Sequence, residues 1–142
     1  VLVLKDIGPL ARSAAEEIVG LLQKPGAVDA AIAIEALGRI GDSAVAPRLL
    51  PFLMGPLRVK SEVAGAMARF AYEDSAPLIE KALPDPEDVN AEEAHHIYAI
   101  LRALHELGSE ATPQLARDYL GVPEMRHMHN LLEPFLEAPD RR

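Results

Sequence analysis

An all-helical α-solenoid, with helix pairs stacked side by side, is the fold class this sequence predicts, and three observations carry it. The first is the stretch Leu37-Gly38-Arg39-Ile40-Gly41-Asp42, followed by Ala46-Pro47-Arg48-Leu49-Leu50 and Leu53, which reads as helix, two-residue corner, helix. The second is recurrence: Pro47, Pro77 and Pro113 lie 30 and 36 residues apart, and a similar apolar string follows each. The third is composition. The chain has 142 residues, 49% of them hydrophobic, yet only 4% are aromatic and there is no Trp, so its core must be built from small and γ-branched side chains that let helices approach closely. That length suffices for one continuous seam between stacked units, so residues 1–142 are read as a single array.

Taken in order, Val1 to Leu4 is read as the last turn of a helix, because Ile7-Gly8 copies Ile40-Gly41; a short edge strand is the rival. A chain starting at Val1 rather than Met is also compatible with a piece cut from a longer array. Over residues 10–22, Leu10, Ala14, Ile18, Leu21 and Leu22 recur at three- and four-residue steps, which predicts an amphipathic helix ended by Lys24-Pro25-Gly26. Residues 28–40 form the next helix, polar only at Asp29, Glu35 and Arg39 and therefore buried on more than one side. Gly41 turns the corner and Asp42 or Ser43 caps a helix with Pro47 near its start. Pro51, inside that helix, removes a hydrogen bond and predicts a bent or partly open stretch ending before Gly55-Pro56.

A third long helix is expected over 59–71, and Asp74 or Ser75 is expected to cap a short helix through Pro77, Ile79, Ala82 and Leu83. After the acidic loop Pro84-Asp85-Pro86-Glu87-Asp88, Asn90 caps a long helix over 91–107. Gly108 turns again, a short helix runs over 112–120, and a last helix from Pro123 to about Leu136 carries Met125, Met128, Leu132 and Leu136 on one stripe. Such a terminal helix closes the end of a stack, whereas the apolar N-terminal end predicts self-association. Ile18, Leu49, Ile79 and Leu115 fall in one column of the repeat and are expected to be buried.

The best-matched unit, residues 36–53, resembles the HEAT-like repeats, in particular the short bacterial and archaeal type first described in phycobilisome lyases, and looser copies cover roughly residues 7–120. The resemblance implies a right-handed superhelix of the armadillo and HEAT type, about four helix pairs with a C-terminal capping helix, whose inner surface presents the second helices. It also departs from that pattern: only Val59-Lys60 approaches the usual basic residues early in the first helix, and the unit near Asn90 is longer than the rest. Members of the family include scaffolds, chromophore lyases, a metal-dependent hydroxylase and DNA glycosylase relatives, so the resemblance speaks for fold before function.

Formal net charge is -8, which argues against nucleic acid as partner, since phosphate binding needs a basic face. No apolar run reaches the roughly 18 residues of a membrane span, and the absence of cysteine fits a reducing, cytoplasmic setting. Glu92, His95 and His96 sit within a turn of one another, but the hydroxylase of this architecture, by resemblance, uses His-Glu pairs at the starts of several helices. Here one pair occurs, His105-Glu106, at the far end of its helix, with Gly38 and Ala68 in the equivalent positions. No metal or cofactor is expected, and neither a Gly-rich phosphate loop nor a nucleophile motif is present.

The expected function is a protein-protein interaction scaffold without catalysis; the alternative is a lyase-type enzyme or subunit handling a small chromophore in the groove. The candidate partner-binding residues are the outward positions of the second helices. Down the array these read Glu17 and Gly20, Arg48 and Pro51, Leu78 and Lys81, then Gln114 and Arg117. Arg48, Lys81, Gln114 and Arg117 would form a ridge suited to an acidic segment, with the two arginines as bidentate contacts.

Overall fold

The computed structural model describes residues 4–24 and 29–137, with side chains from residue 12 onward. Among the described residues the chain is helical throughout, with no strand: α1 (Leu4–Leu22), α2 (Ala30–Ile40), α3 (Ala46–Leu49), α4 (Leu57–Arg69), α5 (Ala76–Ala82), α6 (Ala94–Glu106), α7 (Thr112–Leu120) and α8 (His129–Leu132), joined by short 3-10 turns. The first helices α2, α4 and α6 form one layer, each packed on the next, and α3, α5 and α7 follow them as second helices. Small residues set the spacing. A Cβ added at Gly38 would sit 3.2 Å from the Cβ of Ala66, so the missing side chain lets α2 and α4 pack closely there.

The corners show why the pairs form. Asp29 caps α2 by accepting from the Ala31 amide at 3.0 Å, and α2 ends at Gly41 in the left-handed region, φ 80°. Asp42 then accepts from the Ala44 amide at 3.2 Å and opens the turn into α3. The two equivalent corners are also left-handed, at Ala71 (φ 54°) and Gly108 (φ 79°). Both close a Schellman motif, in which the next residue's amide reaches back to the helix: Tyr72 to the Met67 carbonyl and Ser109 to the Leu104 carbonyl, each at 3.0 Å. Asn90 and Glu93 form a capping box before α6.

Several expectations are corrected. Ile7-Gly8 is no corner, because α1 runs unbroken from Leu4. Gly41 is followed by a capping aspartate, whereas Gly8 is followed by Pro9 and Leu10, which offer no acceptor to start a new helix. Val1 to Val3, and with them most of the apolar run proposed for self-association, lie outside the described residues, as does the side chain of Leu4. Neither Asp74 nor Ser75 caps α5; the Ser75 hydroxyl is buried and donates to the Tyr72 carbonyl at 2.6 Å. The last helix is three pieces, a 3-10 turn Pro123–Met128, the single turn α8 and a 3-10 turn Glu133–Leu136. Pro123 opens the first of these pieces and Pro134 falls in the first turn of the third. Met125, Met128 and Leu132 are nonetheless buried, while Leu136 is only half-buried and Phe135 takes the inner place. Pro51 has the expected effect: after one α turn the chain tightens into the 3-10 turn Leu50–Met54.

Two apolar clusters fill the interior. One spans α1 to α6 through Val19, Ile34, Leu37, Leu49, Val63, Met67, Ile79 and Leu104. The other joins α6 and α7 to the C-terminal segment through Ile97, Leu101, Tyr119, Met125, Leu132 and Phe135. Leu57, Leu83 and Leu115 touch both. Within the predicted column Leu49 and Ile79 are buried, but Ile18 and Leu115 are only half-buried. Ile18 lines a groove beside α2 and Leu115 lies on the seam between the clusters.

Candidate functional site

All four candidate residues of the second helices are exposed, but Arg48 and Arg117 reach different neighbours and Gln114 bonds within its own helix. Arg48 on α3 reaches back to α1, where its Nη1 donates to Glu16 Oε2 at 2.6 Å. Both side chains are about half exposed, 49% and 52%, so the bridge contributes at most about 1 kcal/mol and leaves the guanidinium accessible. Gln114 donates along its own helix to Asp118 at 2.8 Å, and Arg117 donates to the Leu136 carbonyl of the C-terminal segment at 3.2 Å. Arg48 and Arg117 are thus tied to opposite ends of the array.

Lys81 lies on a groove. Between the 3-10 turn Leu50–Met54 and α5 is a depression of about 350 Å³, floored by Leu50, Leu53, Leu78 and Ala82 and edged by Met54, Lys60 and Lys81. Lys60 is fixed there, its Nζ donating to the Ala82 carbonyl at 2.8 Å, at the C-terminal end of α5 where a cation is favoured. Leu78 is 45% exposed and Met54 89%. Leu78 was legible as an outward position. Met54 was not: helical spacing from Leu50 and Leu53 keeps the count in register, but the 3-10 turn imposed by Pro51 rotates residue 54 into solvent.

The layer of first helices carries a second polar surface that the repeat alignment did not single out. Arg39 pairs with Glu35 at 2.8 Å, Arg58 with Asp29 at 3.0 Å and Arg102 with Glu106 at 3.1 Å, so most of its charge is neutralised locally. The hydrogen bond from Arg58 holds the Asp29 carboxyl below its ordinary range. Between α4 and α6 a groove of about 260 Å³ opens where Gly65 has no side chain. Glu62 on its edge is partly buried, and that burial, with the nearby Glu35 carboxylate, pushes its carboxyl above the usual range.

The histidines do not converge on a metal. The His95 and His96 rings lie tilted at 40° with centroids 3.9 Å apart, and His96 Nδ1 shares a hydrogen bond with the Ser61 hydroxyl at 3.2 Å. Burial, aided by His95, holds His96 below its ordinary pKa. His105 instead packs its ring on Phe135, 5.2 Å between centroids. Among the described residues no group of three or more His, Asp or Glu side chains is placed to hold a metal ion. Among the same residues no helix is long and apolar enough to cross a membrane.

Paired helices joined by left-handed corners, stacked so that first helices pack on first helices, define a helical-repeat protein. Residues 29–53, which cover α2, its corner, α3 and most of the following 3-10 turn, match the family model of the PBS lyase HEAT-like repeat, so the chain carries a HEAT-like repeat of that type. No curated protein and no solved structure matches the chain.

Proposed function

We propose that this chain is a protein-protein interaction scaffold whose second-helix face binds an acidic segment of another protein, without catalysis. The carrying observation is that Arg48, Lys81, Gln114 and Arg117 are all exposed on successive second helices of a chain whose net charge is -8. Repeat proteins use such extended surfaces for binding, and an accessible guanidinium offers a carboxylate two parallel hydrogen bonds. Charge reversal of Arg48 and Arg117 together should abolish binding of an acidic partner peptide and, through the lost contacts to Glu16 and the Leu136 carbonyl, lower the melting temperature by only a few degrees, leaving the protein folded. Undiminished binding by that double variant would refute the role given to the ridge.

On the same reading residues 1–142 form one right-handed array that works in the cytoplasm. Its N-terminal end is a surface for self-association, supported by the groove where Ile18, Leu21 and Ile32 meet Ala33 and Ala36, with Ile32 60% exposed. Ile32→Ser should then lower the mass seen by light scattering at high concentration. A wild-type protein that is monomeric throughout would contradict it.

A further inference from the structure

The groove between the 3-10 turn Leu50–Met54 and α5 combines an apolar floor with charge that is wholly positive. Its floor of Leu50, Leu53, Leu78 and Ala82 is edged by Lys60 and Lys81, and no acidic side chain lines it. In a chain with 22 acidic against 14 basic residues, that local excess of positive charge runs against the composition. An apolar groove at Ile18 and Ile32 carries Asp29 on its edge, the α4/α6 groove mixes two glutamates with two arginines, and a groove beside Gly108 is lined by Glu73, Glu80 and Glu110.

We propose that this groove is the anchor site for a short acidic segment of a partner protein, taking one large apolar side chain on Leu78 and Met54 while carboxylates beside that anchor meet Lys81 and Lys60. This deepens the second-helix reading and rests on it: the ridge supplies charge, and the groove supplies the apolar contact that charge alone lacks. Exposed charge pairs contribute little affinity, whereas an aromatic or aliphatic side chain seated in a pocket dominates an interface. The volume, about 350 Å³, lies at the lower end of small-ligand sites and suits an anchor of one or two side chains. Met54, almost entirely in solvent, is an unbranched, polarisable side chain able to fold over apolar groups of different shapes. Lys60 is already held against the Ala82 carbonyl, so one edge of the groove is fixed before binding.

The experiment is a selection on the intact protein from a display library of random 16-residue peptides at low salt, followed by affinity measurement of the recovered peptides. The expected result is enrichment of sequences with one large apolar residue flanked by Asp or Glu. Met54→Ser, almost entirely in solvent and so with an unchanged melting temperature, and Leu78→Ser, half-exposed and so with a fall of at most a few degrees, should each weaken those peptides about tenfold. Lys81→Glu should weaken them and flatten the salt dependence. Enrichment of acidic peptides without an apolar residue, insensitive to Leu78→Ser but lost on charge reversal of Arg48 and Arg117, would overturn the anchor and leave the ridge standing. Anchored peptides that bind equally well to the charge-reversed protein would overturn the ridge and leave the groove. No enrichment at all, or a concentration-dependent mass abolished by Leu78→Ser, would overturn the anchor, the latter because a second copy would then fill it.

Discussion

Ala71 occupies a position where its side chain is a cost, and exchanging it for glycine should stabilise the protein. Its φ is 54°, at the corner where Gly41 and Gly108 stand in the neighbouring repeats at 80° and 79°. An L-residue in the left-handed region carries a penalty of roughly 1 to 2 kcal/mol from its Cβ. Glycine removes that penalty but has more freedom to lose on folding, roughly 0.4 to 1 kcal/mol. Ala71 is exposed, so the change removes no burial, and the net gain for Ala71→Gly is about 0.5 to 1 kcal/mol. The reciprocal change tests the same cause with opposite sign. A Cβ at Gly41 would meet nothing within 4 Å, so any loss in Gly41→Ala comes from backbone alone, and about 0.5 to 1 kcal/mol of destabilisation is expected. Urea unfolding followed by circular dichroism resolves differences of this size if the slope of the transition is unchanged. A destabilised Ala71→Gly, or two changes of the same sign, would show that the corner is not left-handed at residue 71.

Two further outcomes follow from burial. Leu49 is fully buried in the larger cluster, so Leu49→Ala should cost roughly 2 to 5 kcal/mol in the same assay, and a loss below about 0.5 kcal/mol would place it elsewhere. Glu62 has a folded-state pKa raised above its unfolded value, so it favours folding when protonated, and that contribution is lost as pH rises through the folded pKa. Glu62→Gln should accordingly raise the melting temperature at neutral pH, with the advantage shrinking as pH falls through the carboxylate range; a gain independent of pH would exclude burial of the charge as its cause.

Most of the architecture was readable because repetition supplied an internal comparison. Pro47, Pro77 and Pro113 sit at the second position of α3, α5 and α7, where a missing amide hydrogen costs least, and Gly41 and Gly108 mark corners by the backbone they require. Reading failed where one residue type serves two conformations. Gly8 stays inside α1 because no capping side chain follows it, and the C-terminal segment winds as 3-10 pieces although its apolar stripe reads as α-helical. The predicted column was half right: Ile18 borders an open groove beside α2 and Leu115 falls on the seam between two clusters, so equal positions in the repeat are not buried equally. At the candidate site, the four residues were legible as exposed, but their partners Glu16, Asp118 and Leu136 depend on side-chain reach and could not be. Periodicity hid Met54, which left the helical register after Pro51.

The packing of α2 on α4 and of α4 on α6 bears on how the chain reaches this structure. These pairings join segments close in sequence, so little loop-closure entropy stands in the way and folding should be quick for a chain of this length. Among the described residues no element closes back from one end of the stack to the other in its main pairings, so opening can start at either end and travel inward. Helix α4, covered on both flanks at the middle of the stack, should then be among the last to exchange its amide protons, and slow hydrogen exchange is expected at Val63, Ala64 and Met67.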